Sequence, residues 1–478
     1  MKKTTRKLFS VILALSVMLV SLVPAHAFID IGEGLWEASW ESEYDNGVVL
    51  FPGSNNSEMN VSWYSETESV PKVVLADAYA VTGECEEFTG YCLAAPDGDY
   101  ANKVTLTGLE AGKTYSYKCF SEGFVSQTYY FKTDANPNEF KALYMTDIHI
   151  SHSNEDPENV KNTASKFNSL LTEACLMHSP SILLSTGDQA SEGYETEYKG
   201  LSSALALKSI PIATTIGNHD RKGVAYKTFK NVPNEHDPMV SSYIGSDYWF
   251  VKGDVLFLVC DSNNASGIDH RNFVKEAVKA NPDVRWKVMM AHHDLYSGRI
   301  PHRESENGLL RLLWAPIADE FGIDLVLLGH SHYYTVSNVL YNNKAVADYA
   351  PVMTDPEGTV YMVSGSITRP RDDEDIGLNE DWIGYANVPD EQAIYNVLDF
   401  TENSITVSSY YQGNTEAFNS YSIVKTSAEG GHPDKISPIY NPLIRFIGTV
   451  YAVFNNIGVY SDLKEDGFDV NFFELLFG

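Results

Sequence analysis

The sequence predicts a layered α/β domain preceded by a small antiparallel β-sandwich, and three observations carry this expectation. Between residues 51 and 132, short alternating runs are separated by turn residues without any helical period. From Phe140 onward, apolar strand runs alternate with helical patterns. Five of the six such runs then lead straight into clusters of Asp, Asn and His.

The elements follow in order. Lys2, Lys3, Arg6 and Lys7 precede an apolar run from Leu8 to Val23, and Pro24-Ala25-His26-Ala27 offers a small-x-small cleavage site. That pattern predicts a signal peptide of bacterial type over residues 1–27, removal after Ala27 and a secreted or cell-envelope protein, with no stable membrane span once the signal is removed. A lead-in rich in Trp and acid covers residues 28–50, and the sandwich is expected over 51–134. Its strand runs are 59–64, 72–76, 103–109, 114–120 and 128–133. A turn-rich link, Asp134 to Asn138, leads into the second domain at 138–426. Its apolar runs are 143–146, 182–185, 212–216, 255–260, 288–291 and 325–328, and Val160, Ala164, Phe167, Leu171 and Ala174 recur at helical spacing. Later strands at 359–364, 393–400, 404–411 and 420–424 are expected to complete a second sheet. The acidic loop 372–375 reads as solvated surface, because its spacing fits no calcium loop. Residues 427–478 read as a linker and an amphipathic tail, with Leu443, Ile447, Val450, Tyr451 and Phe454 on the helical face expected to dock on the domain.

Composition narrows the function. A chain of 478 residues with 44% hydrophobic content can build more than one core. A formal net charge of -30 disfavours neutralisation of a nucleic-acid backbone, so long nucleic acids are unlikely partners. Cys85 and Cys92 flank a polar segment and are the expected disulfide pair; Cys175 falls in a helical pattern and Cys260 in a strand run, as small buried hydrophobes. Neither an internal repeat nor a Gly-rich nucleotide loop is found.

Chemistry gathers between residues 147 and 332. A catalytic divalent ion needs carboxylate oxygen, imidazole nitrogen and an open position. Asp147, His149, Asp188, Asn218, His219, His292, His330 and His332 supply such donors, all just after strand runs, where α/β folds place their sites. A lone buried His is more often a satisfied core residue, but several at strand ends point to metal.

In chain order, Asp147-Ile148-His149, Gly187-Asp188, Gly217-Asn218-His219-Asp220, His292 and Gly329-His330-Ser331-His332 resemble the five blocks of the calcineurin-like metallophosphoesterase superfamily, over roughly residues 140–365. The preceding sandwich resembles the fibronectin-type N-terminal domain of purple acid phosphatases, through Val104 to Leu109, Gly112-Lys113-Thr114-Tyr115 and Phe131-Lys132-Thr133. The resemblance implies a four-layer αββα domain. It implies one divalent ion on Asp147, His149 and His332, a second on Asn218, His292 and His330, and Asp188 as the bridge. Mn, Fe and Zn all suit this donor set. Such an ion pair activates hydroxide for attack on phosphorus. His219 is then expected to stabilise charge or protonate the leaving oxygen, with Asp220 holding its ring. His302, with Arg299 and Arg303 nearby, lies where purple acid phosphatases touch substrate.

Three positions depart from the purple enzymes. Those carry Gly in place of His149, a metal-binding Tyr in place of Ser191 and usually Glu in place of Asp220. The expected function is a secreted dinuclear-metal phosphoesterase acting on monoesters or diesters, of a phosphorylated small molecule or a surface polymer. The alternatives are a cell-surface binding protein on a vestigial hydrolase scaffold, from which the intact donor set argues away, and an extracellular nuclease, which the acidic charge opposes.

Overall fold

Alternation along the central strands sorts their side chains into separate cores. In the strand Phe140–Met145, Ala142 and Tyr144 face one core while Leu143 and Met145 face another. In Val255–Val259, the residues Val255, Phe257 and Val259 share the core of Ala142 and Tyr144, and Leu256 and Leu258 enter a third. Successive strand side chains point to opposite faces, so each sheet packs against the other sheet on one side and against helices on the other. The result is four layers, αββα. The computed structural model describes residues 25–80, 83–151, 158–240, 245–296, 298, 306–370, 380–387, 391–426 and 442–465. The apolar run of the expected signal, the acidic loop 372–375 and the linker 427–434 lie outside them.

The first sheet runs in the order Ile212–Thr214, Ile182–Ser185, Phe140–Met145, Ile394–Phe400, Ser404–Tyr411, Asn419–Val424, Val352–Thr354. The second runs Tyr248–Lys252, Val255–Val259, Trp286–Met290, Leu325–Leu328, Val360–Val363, Tyr334–Ser337, Ile383–Asn387. The six expected runs thus divide into two parallel sets of three, one per sheet. The later strands correct the sequence-based expectation. Only Val360–Val363 joins the second sheet. The strand Ile394–Phe400 pairs antiparallel with Phe140–Met145, so it and the next two extend the first sheet. The helix Glu158–His178 covers the first sheet with Val160, Ala164, Phe167, Leu171 and Ala174, as its spacing predicted. Helices Gly267–Ala280 and Glu306–Phe321 cover the second.

The amino-terminal sandwich is two antiparallel sheets around Val61, Trp63, Val73, Val104, Tyr117 and Phe131. All five cysteines are free thiols, which corrects the expected Cys85–Cys92 bond. Cys92 sits in Tyr91–Ala94 opposite Asn102, whereas Cys85 precedes Glu86–Thr89, a strand of the other sheet, so the chain turns between them and parts the two residues.

The lead-in folds as a helix, Ala25–Asn46, which belongs to the second domain's packing. Trp36 is buried in the same core as Leu143 and Phe167, and its indole donates to Ser203 Oγ. Glu43 joins three parts of the chain. It pairs with buried Lys208 of the catalytic domain at 3.2 Å and accepts from Tyr129 and Gln127 of the sandwich. A second tie is Lys103, which donates from the sandwich to Ser62 Oγ and to the carbonyls of Thr228, Phe229 and Lys230. Burial pushes its ammonium down to about 7.

The tail forms a helix, Pro442–Glu465, that docks on the second domain through a face other than the expected one. Ala452 and Arg445 are buried, Thr449 meets Ser266, and Asn455 donates to the Asn263 carbonyl. A Cβ on Gly448 would stand 2.7 Å from the Ala265 carbonyl, so this approach admits only small side chains. The large residues Ile447, Val450, Tyr451 and Phe454 are left at the surface, with Phe454 67% exposed. No helix among the described residues is long and apolar enough to cross a membrane.

Glu43→Ala strips Lys208 of its buried partner, and loss of one member of such a pair costs about 3–5 kcal/mol. Calorimetric melting of the full chain should show a clear drop in midpoint. An unchanged melting profile would show that the lead-in helix is held by its apolar face alone.

Candidate metal centre

The parallel strands of both sheets end at one shared edge, and the loops leaving them carry the donors. Asp147 and His149 follow Phe140–Met145, Asp188 follows Ile182–Ser185, and Asn218 and His219 follow Ile212–Thr214. From the second sheet come His292 after Trp286–Met290, and His330 and His332 after Leu325–Leu328. Their polar atoms form two adjoining groups. In one, His332 Nε2 lies 3.2 Å from Asp147 Oδ1 and 3.1 Å from His149 Nε2. In the other, Asn218 Oδ1 lies 2.9 Å from both His292 Nε2 and His330 Nδ1. Asp188 stands between them, with Oδ2 at 3.7 Å from His149 Nε2 and 3.3 Å from His292 Nε2.

The loops are shaped to bring these atoms together. Asp147, His149, Asp188, His330 and His332 all have positive φ, between 48° and 71°. That left-handed region costs a residue with a Cβ about 1–2 kcal/mol, and such strain collects at functional sites. The glycines of the motifs clear space for the same side chains. A Cβ on Gly217 would fall 2.0 Å from Asp188 Oδ1, and one on Gly187 would strike the His292 ring at 2.5 Å.

Hydrogen bonds to main-chain carbonyls set the imidazole tautomers. His292 Nδ1 donates to Thr186, and His332 Nδ1 to Arg369, which turns the Nε2 lone pair of each ring inward. Burial holds the His149 imidazole neutral, pushing it down to about 3. Burial also opposes charge on His292, but the adjoining Asp188 carboxylate outweighs it and lifts the ring to about 10. Asp188 and Asp147 are buried too, yet the neighbouring histidines keep both below the usual carboxylate range. Two buried carboxylates facing inward lone pairs of neutral imidazoles call for positive charge at their centre. A divalent cation supplies it without the proton on His292, so the donor set fits metal.

Two catalytic expectations fare differently. His219 lines the cavity beside His149, with ring centroids 4.8 Å apart. Asp220 does not hold its ring. That carboxylate is buried and accepts from the amides of Ala190 and Gly217 and from the Tyr198 hydroxyl, so it ties two donor loops together. The His219 ring is held by the Ser191 carbonyl, 2.7 Å from Nδ1. His293 Nδ1 is hydrogen-bonded to Ser262 Oγ, and its ring packs 4.7 Å from that of His330, so it stays beside the donors and does not point away from them. The expected substrate residues Arg299, His302 and Arg303 lie outside the described residues.

Arg369 escaped the sequence analysis. It lines the donor cavity of about 450 Å³, and its guanidinium donates to Ser191 Oγ at 2.9 Å. Its one sequence signal is position, in the loop that follows another parallel strand, Val360–Val363. Tyr194, the phenol nearest in sequence to Ser191, lies instead in a neighbouring cavity.

A double-sheet sandwich with Asp, His and Asn donors at its shared edge defines the metallophosphoesterase class. Residues 140–334 match the calcineurin-like phosphoesterase family and residues 45–133 the N-terminal domain of purple acid phosphatases. The chain thus carries a calcineurin-like phosphoesterase domain preceded by a domain of the purple acid phosphatase N-terminal type. It is 27% identical over 160 residues to a Rhodopseudomonas palustris protein described as a probable cyclic nucleotide phosphodiesterase, covering 31% of this chain and 55% of that one. It is 26% identical over 175 residues to an uncharacterized protein of Mycobacterium tuberculosis, covering 31% of this chain and 32% of that one. The chain thus spans about half and about a third of the lengths of these relatives. In structure it is similar to the purple acid phosphatase PPD1 of yellow lupin, with TM-score 0.65, 17% identity and coverage of 80% of this chain and 75% of that one. It is also similar to PhoD, with TM-score 0.52, 13% identity and coverage of 88% and 98%. At these identities the likeness is one of fold.

Asp188→Ala should abolish metal retention, because Asp188 stands between the two donor groups. Metal analysis after dialysis checks this, and full stoichiometry in the variant would sink the bridging role. With no tyrosine among the described residues lining the donor cavity, iron-loaded protein should also lack the visible tyrosinate band of purple enzymes. A band that vanished in Tyr194→Phe would overturn that expectation.

Proposed function

We propose that the chain is an exported hydrolase of phosphate monoesters or diesters, working with two divalent ions. The observation that carries this is the pair of donor groups sharing Asp188, with His219 and Arg369 at the mouth of the same cavity. Asp147, His149 and His332 would hold one ion, Asn218, His292 and His330 the other, and Mn, Fe and Zn all suit the donors. Bound there, such ions supply Lewis-acid activation of the phosphoryl group and of the attacking water.

The chain's own residues do the rest. The Ser191 carbonyl and the Lys222 ammonium, 2.7 and 2.9 Å from His219 Nδ1, hold that edge of the ring and leave Nε2 for the cavity. From there His219 is placed to give a proton to the departing ester oxygen. Arg369, anchored through Ser191 Oγ, presents a fixed guanidinium to a phosphoryl oxygen. Backbone amides hold the ligands in place, since His219 N donates to Asp188 Oδ1 and His330 N to Asp147 Oδ2. Export is supported by the basic residues and apolar run that open the sequence, and the sandwich of fibronectin type is the accompanying module. The formal charge of -30 favours small or surface-borne phosphoesters over nucleic acid.

Metal-loaded protein should turn over p-nitrophenyl phosphate, bis(p-nitrophenyl) phosphate or both. Chelator should abolish that turnover, and single-stranded DNA should stay intact. Absence of any chelator-sensitive turnover would count against a hydrolase. For His219→Ala, kcat should fall about 10²- to 10⁴-fold with metal content kept. His219 also stands within reach of His149 and Asp188, so loss of metal in that variant would reassign it as a ligand.

A further inference from the structure

The C-terminal helix Pro442–Glu465 breaks the usual logic of burial. It is fastened by Gly448, Thr449, Ala452 and Asn455 together with Val453 and the buried Leu463, while Tyr451 stays 49% exposed. Tyr451 is not merely left at the surface. It forms a wall of a cavity of about 540 Å³ that also includes Asn218, Arg221, His293, Leu309 and Leu310. Asn218 also lines the donor cavity, so the two spaces adjoin at a proposed metal ligand.

We propose that this cavity is an aromatic side subsite, and that the substrate carries an aryl or heteroaryl ring on its phosphate. The inference rests on the phosphoesterase function proposed above. A group esterified to a phosphate held at the donors enters the cavity past Asn218. There it meets Leu309, Leu310 and the Tyr451 ring on its walls and the Arg221 guanidinium beside them. Apolar walls with a few polar groups are what small-molecule sites offer. A planar ring gains from stacking on Tyr451 and from the adjacent cation. An alkyl group of similar reach gains only burial. The exposure of Tyr451 has its counterpart here, because an apolar surface left open beside a reaction centre is covered by the ligand.

Isothermal titration of the full, metal-loaded chain with methylphosphonate and with phenylphosphonate tests this without turnover. Phenylphosphonate should bind at least about 10-fold more tightly. Tyr451→Ala should shrink the ratio to within about twofold, Tyr451→Phe should keep it, and so should Phe446→Ala, an exposed position on the same helix that does not line the cavity. Equal binding of the two probes by the wild-type chain overturns the subsite and leaves the phosphoesterase standing. A ratio unchanged in Tyr451→Ala also overturns it. Loss of phospholipid-vesicle binding in Tyr451→Ala, alongside equal binding of the two probes, would assign the helix to a membrane surface instead. Failure of both phosphonates to bind would remove the phosphoesterase function itself, and the subsite with it.

Discussion

Asp188 is the group around which the rest of the site is arranged. Its buried carboxylate lies 3.3 Å from His292 of one sheet's loops and 3.7 Å from His149 of the other's, and accepts from the His219 amide as well. A carboxylate taken out of water must be matched by donors and positive charge. The αββα sandwich meets that demand by ending both sets of parallel strands at the same edge. The first sheet alone would place three donor loops, and the second two, around a half-formed set.

That convergence explains why strained backbone persists. Asp147, His149, Asp188, His330 and His332 hold left-handed conformations because their loops are fixed from several sides. Ser366 Oγ donates to the Asp147 carbonyl, Thr368 Oγ1 to the Ile148 carbonyl, and Asp220 receives the amides of the adjoining loops. Asp220 is thus a brace, and its burial beside Asp188 raises its carboxyl to about 7 even with those donors in place. A divalent cation nearby would ease the same crowding of negative charge.

The helical segments outside the family matches are integral to the molecule. The lead-in helix enters the core through Trp36 and links sandwich to catalytic domain through Glu43, while Lys103 returns the tie from the sandwich side. The C-terminal helix packs by Gly448, Ala452 and Leu463 and sets Tyr451 on a cavity that adjoins the donors at Asn218. Both ends of the chain therefore shape the domain between them.

The sequence by itself determined the sandwich, the α/β alternation and the donor loops. Period-two and helical patterns fix which face of each element is apolar, and motifs such as Gly217-Asn218-His219 record steric needs that a neighbouring carboxylate imposes. Tertiary structure alone decided the rest. The strands after residue 390 could join either sheet, since their patterns serve both and only the antiparallel partner of Phe140–Met145 settles the matter. Asp220 follows His219 in sequence yet serves other loops, and Arg369 reaches Ser191 across 178 positions. The tail helix shows the same limit most plainly. Its hydrophobic stripe predicted one buried face, but the domain takes Gly448, Ala452 and Leu463 instead, because a Cβ at Gly448 would already stand 2.7 Å from the Ala265 carbonyl.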